Sequence, residues 1–148
     1  MEKTEKEKDL ENVKMFVNIG TLVLYALKGH YNSSTICHAI HIFLIVAILV
    51  SPWPVVPAIL YIALQPKQRA TAHKLAGDAF VALQGKLEQT ENYIDINNEE
   101  ADYATRMKNY RDEYVKLCAQ SPQIMTLAYK MTQRGLKKGE AKFDDKDK

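Results

Sequence analysis

Residues Ile40 to Leu64 read IHIFLIVAILVSPWPVVPAILYIAL, an apolar run with no charged side chain and with three prolines near its middle. The charge-free interval extends to both sides, from Gly29 to Pro66, and is 38 residues long. A soluble domain of 148 residues shares its charges among all its elements, so this segregation predicts a chain partly dissolved in lipid. Pro52, Pro54 and Pro57 cannot stand inside one continuous helix without breaking its hydrogen-bond ladder. The economical solution is an all-α fold: a two-pass transmembrane helical hairpin over residues 34–66, followed by a cytosolic antiparallel helical bundle.

In that solution a helix rises from about Ser34 to Val50, capped by Ser33 or Ser34, turns at Ser51 to Pro54, and descends from about Val55 with Pro57 in its first turn. Ile42, Phe43, Leu44, Ile45, Val46 and Leu49 span the membrane on the rising arm. Val56, Ile59, Leu60 and Ile62 span it on the descending arm. Amphipathic Trp53 suits the far interface, Tyr61 and Tyr31 the aromatic belts, and His38 and His41 the start of the apolar helix. The second arm is short, so it must extend past Leu64 with Lys67 and Arg69 snorkelling, or the bilayer must thin.

Residues 1–33 form a charged N-terminus and an amphipathic helix. Its apolar part, Val13 to Leu27, is interrupted by Lys14, Asn18 and Gly20. At about 1.5 Å per residue it covers about 22 Å, short of a hydrocarbon core of about 30 Å. A competing arrangement makes Val13 to Leu27 the first span and Ile40 to Leu64 a single proline-kinked second one. Both give two passes with the termini on one side. Lys28 precedes the hairpin and Lys67, Arg69, His73 and Lys74 follow it, while Ser51 to Pro57 carry no positive charge. By the positive-inside rule both termini face the cytoplasm, which places the Asn32-Ser33-Ser34 sequon on the wrong side for glycosylation.

After Gln65 the pattern becomes helical over residues 67–134. His73, Ala76, Phe80, Leu83, Leu87, Thr90 and Ile94 recur at alternating spacings of three and four, a heptad-like seam. Tyr103, Met107, Tyr110, Tyr114 and Leu117 form a second. Asn97, with Glu100 in capping-box position, starts the second helix, and so short a joint folds the two back as an antiparallel pair. The tyrosine-rich seam then needs either the N-terminal helix or another copy of the chain to complete its core, so both seams are candidates for oligomerisation or for a protein partner. Ser121-Pro122 starts a third helix with Ile124, Leu127 and Met131 on one face, stopped near Gly135. Residues 135–148 are a disordered charged tail.

Other classes are excluded by arithmetic. Lys plus Arg number 20 against 18 Asp plus Glu, and no basic face is left for nucleic acid. Cys37 and Cys118 lie 81 positions apart and read as small buried hydrophobes, neither a disulfide framework nor a zinc cluster. The alternating charges of the first eight residues are unlike a signal peptide, and Glu2 stands where myristoylation needs glycine. His38 and His41 lie one helical turn apart with Cys37 adjacent, but no carboxylate or third histidine completes a metal site. Without a nucleophile elbow, phosphate loop, zinc-protease helix motif or dinucleotide fingerprint, neither an enzyme nor a cofactor is expected. Ile42 to Val50 hold no charged or amide group, so a pore lined by them would be hydrophobic.

The run Leu64-Gln65-Pro66-Lys67-Gln68-Arg69-Ala70-Thr71-Ala72-His73-Lys74-Leu75-Ala76-Gly77-Asp78-Ala79-Phe80-Val81-Ala82-Leu83 resembles the SLATT families, the SMODS- and SLOG-associating two-transmembrane proteins. In those a proline after the second span is followed by Ala-x-x-His, a small residue and an aromatic-x-x-Leu, matched here by Ala70 and His73, Ala76, and Phe80 with Leu83. Ser121-Pro122 looks like the family's Ser-Pro feature, and the likeness covers about residues 34 to 133. The proline-rich turn and short second span depart from the pattern. The resemblance implies a non-enzymatic membrane effector that oligomerises through its cytosolic helices and perturbs or forms pores in a membrane. Similar small two-span proteins in large DNA viruses such as iridoviruses imply a host membrane or the inner membrane of a virion. The alternative is a structural anchor tethering a capsid or partner protein to a membrane through the same helices.

Overall fold

The computed structural model describes the backbone of residues 5–97 and 100–138, and the side chains of residues 13–90 and 103–138. Among these the chain is all α-helical: α1 Glu5–Val50, α2 Val55–Leu64, α3 Pro66–Asn97, α4 Glu100–Gln120 and α5 Thr126–Lys137. Helix α1 is one element of 46 residues, about 69 Å long. The reason is local: the first proline of the chain is Pro52, so nothing forces a break where the composition changes. This corrects the separate amphipathic helix ending near Leu27 and the helix start at Ser33 or Ser34, which both fall inside α1.

The chain reverses at Ser51 to Pro54, and α2 runs back along α1 with Tyr61 against His41, ring centroids 5.5 Å apart. Ile40 to Leu64 is therefore not one kinked helix. Nor does α2 extend past Leu64. Proline disfavours the α conformation in the residue before it, and Gln65 leaves the helix at φ 44°, ψ 51° while its N–H still donates to the Tyr61 carbonyl. Pro66 then opens α3 at a position where its missing N–H costs nothing.

Helix α3 descends along the N-terminal half of α1, the largest pairing in the molecule. Ser34 Oγ donates to the Ala70 carbonyl at 2.9 Å near the hairpin, and lower down Phe80, Leu83 and Leu87 meet Ile19, Val23 and Ala26. Helix α4 returns antiparallel to α3: Thr90 Oγ1 lies 2.6 Å from the Tyr110 hydroxyl, and Lys86 Nζ reaches Glu113 Oε1 at 2.6 Å. Met107 joins the core, and Phe16, Leu27, Tyr103, Tyr110, Tyr114 and Leu117 pack around it. The N-terminal half of α1 thus completes the tyrosine-rich seam within one chain. The capping pair Asn97 and Glu100 and the side chain of Ile94 lie outside the described side chains.

Ile124 and Met125 meet Gly29, Ser33 and Cys37 of α1, and α5 behind them bonds Asn32 through Thr132. Helix α5 begins at Thr126 rather than at Ser121-Pro122 and runs through Gly135 to Lys137. Its buried side is Ala128, Thr132 and Gly135, whereas Leu127 and Met131 of the expected face are exposed. Small residues win that face because α5 lies close on α1, where bulkier side chains have no room. Cys118 is exposed as well, one position beyond the Leu117 seam, while Cys37 is buried. A Cβ at Gly29 would stand 2.8 Å from Ile124 Cδ1 and 3.2 Å from its Cγ2. Gly29→Val is expected to lift the 121–137 segment off α1 at a cost of about 1–3 kcal/mol, read as faster tryptic cleavage at Lys130 and Arg134.

Candidate functional site: an apolar hairpin above a polar collar

Four residues turn the chain at the tip, and their donors are consumed locally. Ser51 N–H donates to the Ala47 carbonyl at 3.0 Å, Trp53 N–H to Ser51 Oγ at 3.1 Å, and Pro52 and Pro54 have no N–H to place. Helix α2 begins without a side-chain cap on Pro54, its first turn containing a further proline at Pro57, and Ala58 N–H is taken by the Pro54 carbonyl at 3.1 Å.

Below the tip, both arms face outward with apolar side chains. Phe43 is 70% exposed, Leu49 77%, Ile62 71% and Trp53 78%. Ile42, Ile45, Val46, Val50, Val55, Val56, Ile59, Leu60 and Leu64 are exposed too, and of the predicted span residues only Leu44 is buried between the arms. Lower down, by contrast, α1 buries Ile19, Val23 and Ala26. Among the described residues one helix, within Val13–Val50, is long and apolar enough to cross a membrane. It is far longer than a bilayer, and its lower half is occupied by α3 and α4, so the continuous apolar surface left exposed is that of the hairpin.

A collar of polar contacts separates the two regimes. Five consecutive residues of α1 point around the whole helix and each holds a partner. His30 Nδ1 lies 3.2 Å from His73 Nδ1, the Tyr31 hydroxyl donates to Asp78 Oδ1 at 2.6 Å, and Asn32 Nδ2 donates to Thr132 Oγ1 at 2.9 Å. Ser33 Oγ accepts the Met125 N–H at 3.2 Å, and Ser34 bonds Ala70 as above. Sequence reasoning missed this clamp. Its signal was the polar run His30-Tyr31-Asn32-Ser33-Ser34-Thr35 inside an uncharged interval, which satisfies helices α3 and α5 rather than a cap or a sequon. Lys67 and Arg69 sit exposed beside the collar.

The two facing imidazoles share one hydrogen bond, so one ring donates and the other accepts. His30 also stacks on Phe80, centroids 5.4 Å apart, and Phe80 packs on Tyr114. Burial, then the neighbouring His73, lowers the His30 pKa from 6.5 to about 4. Burial and the Arg69 guanidinium lower that of His73 as well. Tyr114, facing them from α4, is pushed up to about 12 by burial and by its hydrogen bond to Cys118. Below pH 6.5 the unfolded imidazole takes up a proton that folded His30 refuses until about pH 4. Stability is therefore full above that window and declines as the pH falls through it. The thermal midpoint of the helical region is expected to be lower at about pH 5 than at about pH 7; a flat profile would mean that the pair is not shielded from water.

The structure thus places His73, Ala76, Phe80, Leu83, Leu87 and Met107 in one buried column, with Tyr103, Tyr110, Tyr114 and Leu117 lining it. His38 and His41 stand near the base of the hairpin, rings 5.9 Å apart, and His41 Nδ1 has no hydrogen-bond partner. Among the described residues no three of His, Cys, Asp or Glu cluster as metal ligands would. No family model, curated protein or solved structure matches the chain.

Proposed function

We propose that the chain acts on a lipid bilayer through this hairpin, without catalysis, as a SLATT-like membrane effector. The observation that carries the reading is the continuous apolar exposure from Ile42 to Leu64, directly above a collar where polar groups are paired. In water such a surface would drive aggregation, whereas in lipid each such side chain gains about 1.5–3 kcal/mol. The hairpin enters from the cytoplasmic side, where Lys67, Arg69 and Lys74 meet anionic headgroups, and both termini stay on that side. Arms this short strain the surrounding lipid, which suits perturbation of the membrane better than an aqueous pore. Since the seams are used inside the chain, contact with a second copy falls on other faces of the cytosolic helices.

The second reading, an anchor for a capsid or other partner at a host or virion membrane, is favoured by the outward face of α5. Leu127, Tyr129 and Met131 are exposed there. Liposomes loaded with a self-quenching dye separate the two. Leakage that rises with protein content is expected for the effector. Stable, carbonate-resistant insertion without leakage would favour the anchor, and release by carbonate would refute both.

A further inference from the structure

We infer that the hairpin does not cross the bilayer: it enters from one face and turns back within the hydrocarbon at or just past the midplane, its occupant being the lipid acyl chains. The inference rests on the membrane reading above and sets its depth.

Length is the first argument. Helix α2 has ten residues, about 15 Å. On α1, His41 lies beside Tyr61, and from there to Val50 the helix rises only about 14 Å. Measured from the level of Lys67, one turn nearer the tip than the Ser34–Ala70 contact, the rise to Val50 is about 20 Å. A hydrocarbon core is about 30 Å thick, so a hairpin whose base sits at one headgroup layer ends at or just past the middle, short of the far headgroups.

The tip itself is the second argument. A loop emerging into water needs no internal partners, because water satisfies its backbone; a loop held in hydrocarbon must lose or satisfy every donor. From Ser51 to Pro54 each backbone donor is either absent, at the two prolines, or bonded nearby, Ser51 to the Ala47 carbonyl in the last turn of α1 and Trp53 to Ser51 Oγ. Ser51 serves twice, as donor through its N–H and as acceptor through Oγ. Nothing charged stands anywhere on the tip, and Trp53, Val50, Val55 and Val56 crown it with exposed apolar surface. A wedge of this depth adds more area to the leaflet it enters than to the other, giving the proposed effector a mechanical means of bending or loosening the membrane.

Trp53 is the single tryptophan of the chain, so its emission reports the tip alone. The full chain is reconstituted into phosphatidylcholine vesicles whose acyl chains carry bromine near the headgroup, at mid-chain or toward the terminal methyl. Strongest quenching by the bromines closest to the terminal methyl is expected. Strongest quenching by those nearest the headgroup would place Trp53 at an interface and overturn the inference while leaving membrane insertion standing. No quenching by any brominated lipid, with ready quenching by aqueous iodide, would overturn the membrane reading together with it.

Discussion

Phe80→Ala combined with Leu83→Ala is expected to unfold the association of α1, α3 and α4 while leaving the hairpin in the membrane. Both side chains are fully buried, among Ile19, Val23, Ala26 and Met107, and Phe80 also carries the stack of His30 and the contact with Tyr114. A buried phenylalanine truncated to alanine costs about 3–5 kcal/mol and a buried leucine about 2–5. The two sites share neighbours, so the costs do not simply add, yet together they rival the whole stability of a domain this size, about 5–15 kcal/mol. Hydrogen exchange along α3 between Ala76 and Leu87 should rise to the unprotected rate in proteoliposomes, with the carbonate-resistant fraction unchanged. Exchange protection equal to that of the parent chain would show that the column is not what holds α3 to α1.

The opposite outcome is expected from Leu49→Arg with Ile59→Arg. Leu49 and Ile59 are exposed on the hairpin, so arginine there disturbs no packing within the chain. In hydrocarbon each arginine costs about 2.5–3.5 kcal/mol near the membrane centre, roughly a hundredfold in partitioning, and snorkelling is hardest near the tip. The double variant should appear in the carbonate-soluble fraction with its helical content and α3 protection intact. Retention in the membrane at the parent level would refute the hairpin as the element that holds the chain there. Taken as a pair, the two variants separate the water-facing half of the molecule from the lipid-facing half.

Much of this division was legible in the residues. The charge-free interval contains the apolar hairpin proposed to meet lipid, because ionised side chains are too costly to place in hydrocarbon, and Pro52, Pro54 and Pro57 mark the reversal because proline cannot serve the helical ladder. The seam from His73 to Leu87 marks the inner face of α3, and Tyr103 to Leu117 that of α4, because spacings of three and four put side chains on one helical stripe. These are properties of local covalent structure and of transfer from water, and they hold whatever the rest of the chain does.

Other features depended on partners distant in sequence. Helix α1 runs unbroken past Ser33 and Ser34, and what those serines bond instead of capping a helix, a carbonyl at Ala70 and an N–H at Met125, is specified by no capping pattern. The inner face of α5 is Ala128, Thr132 and Gly135 because α5 lies close on α1 around Asn32, a proximity that favours small residues over Leu127 and Met131. The buried pairing of His30 with His73 joins residues 43 positions apart, and its low proton affinity comes from burial that only the packed helices create. Sequence by itself determined that the chain is helical and where its apolar and charged segments lie, since both are sums over neighbouring residues. Which faces meet was decided by tertiary structure, because close packing selects partners by shape and distance rather than by hydrophobic period.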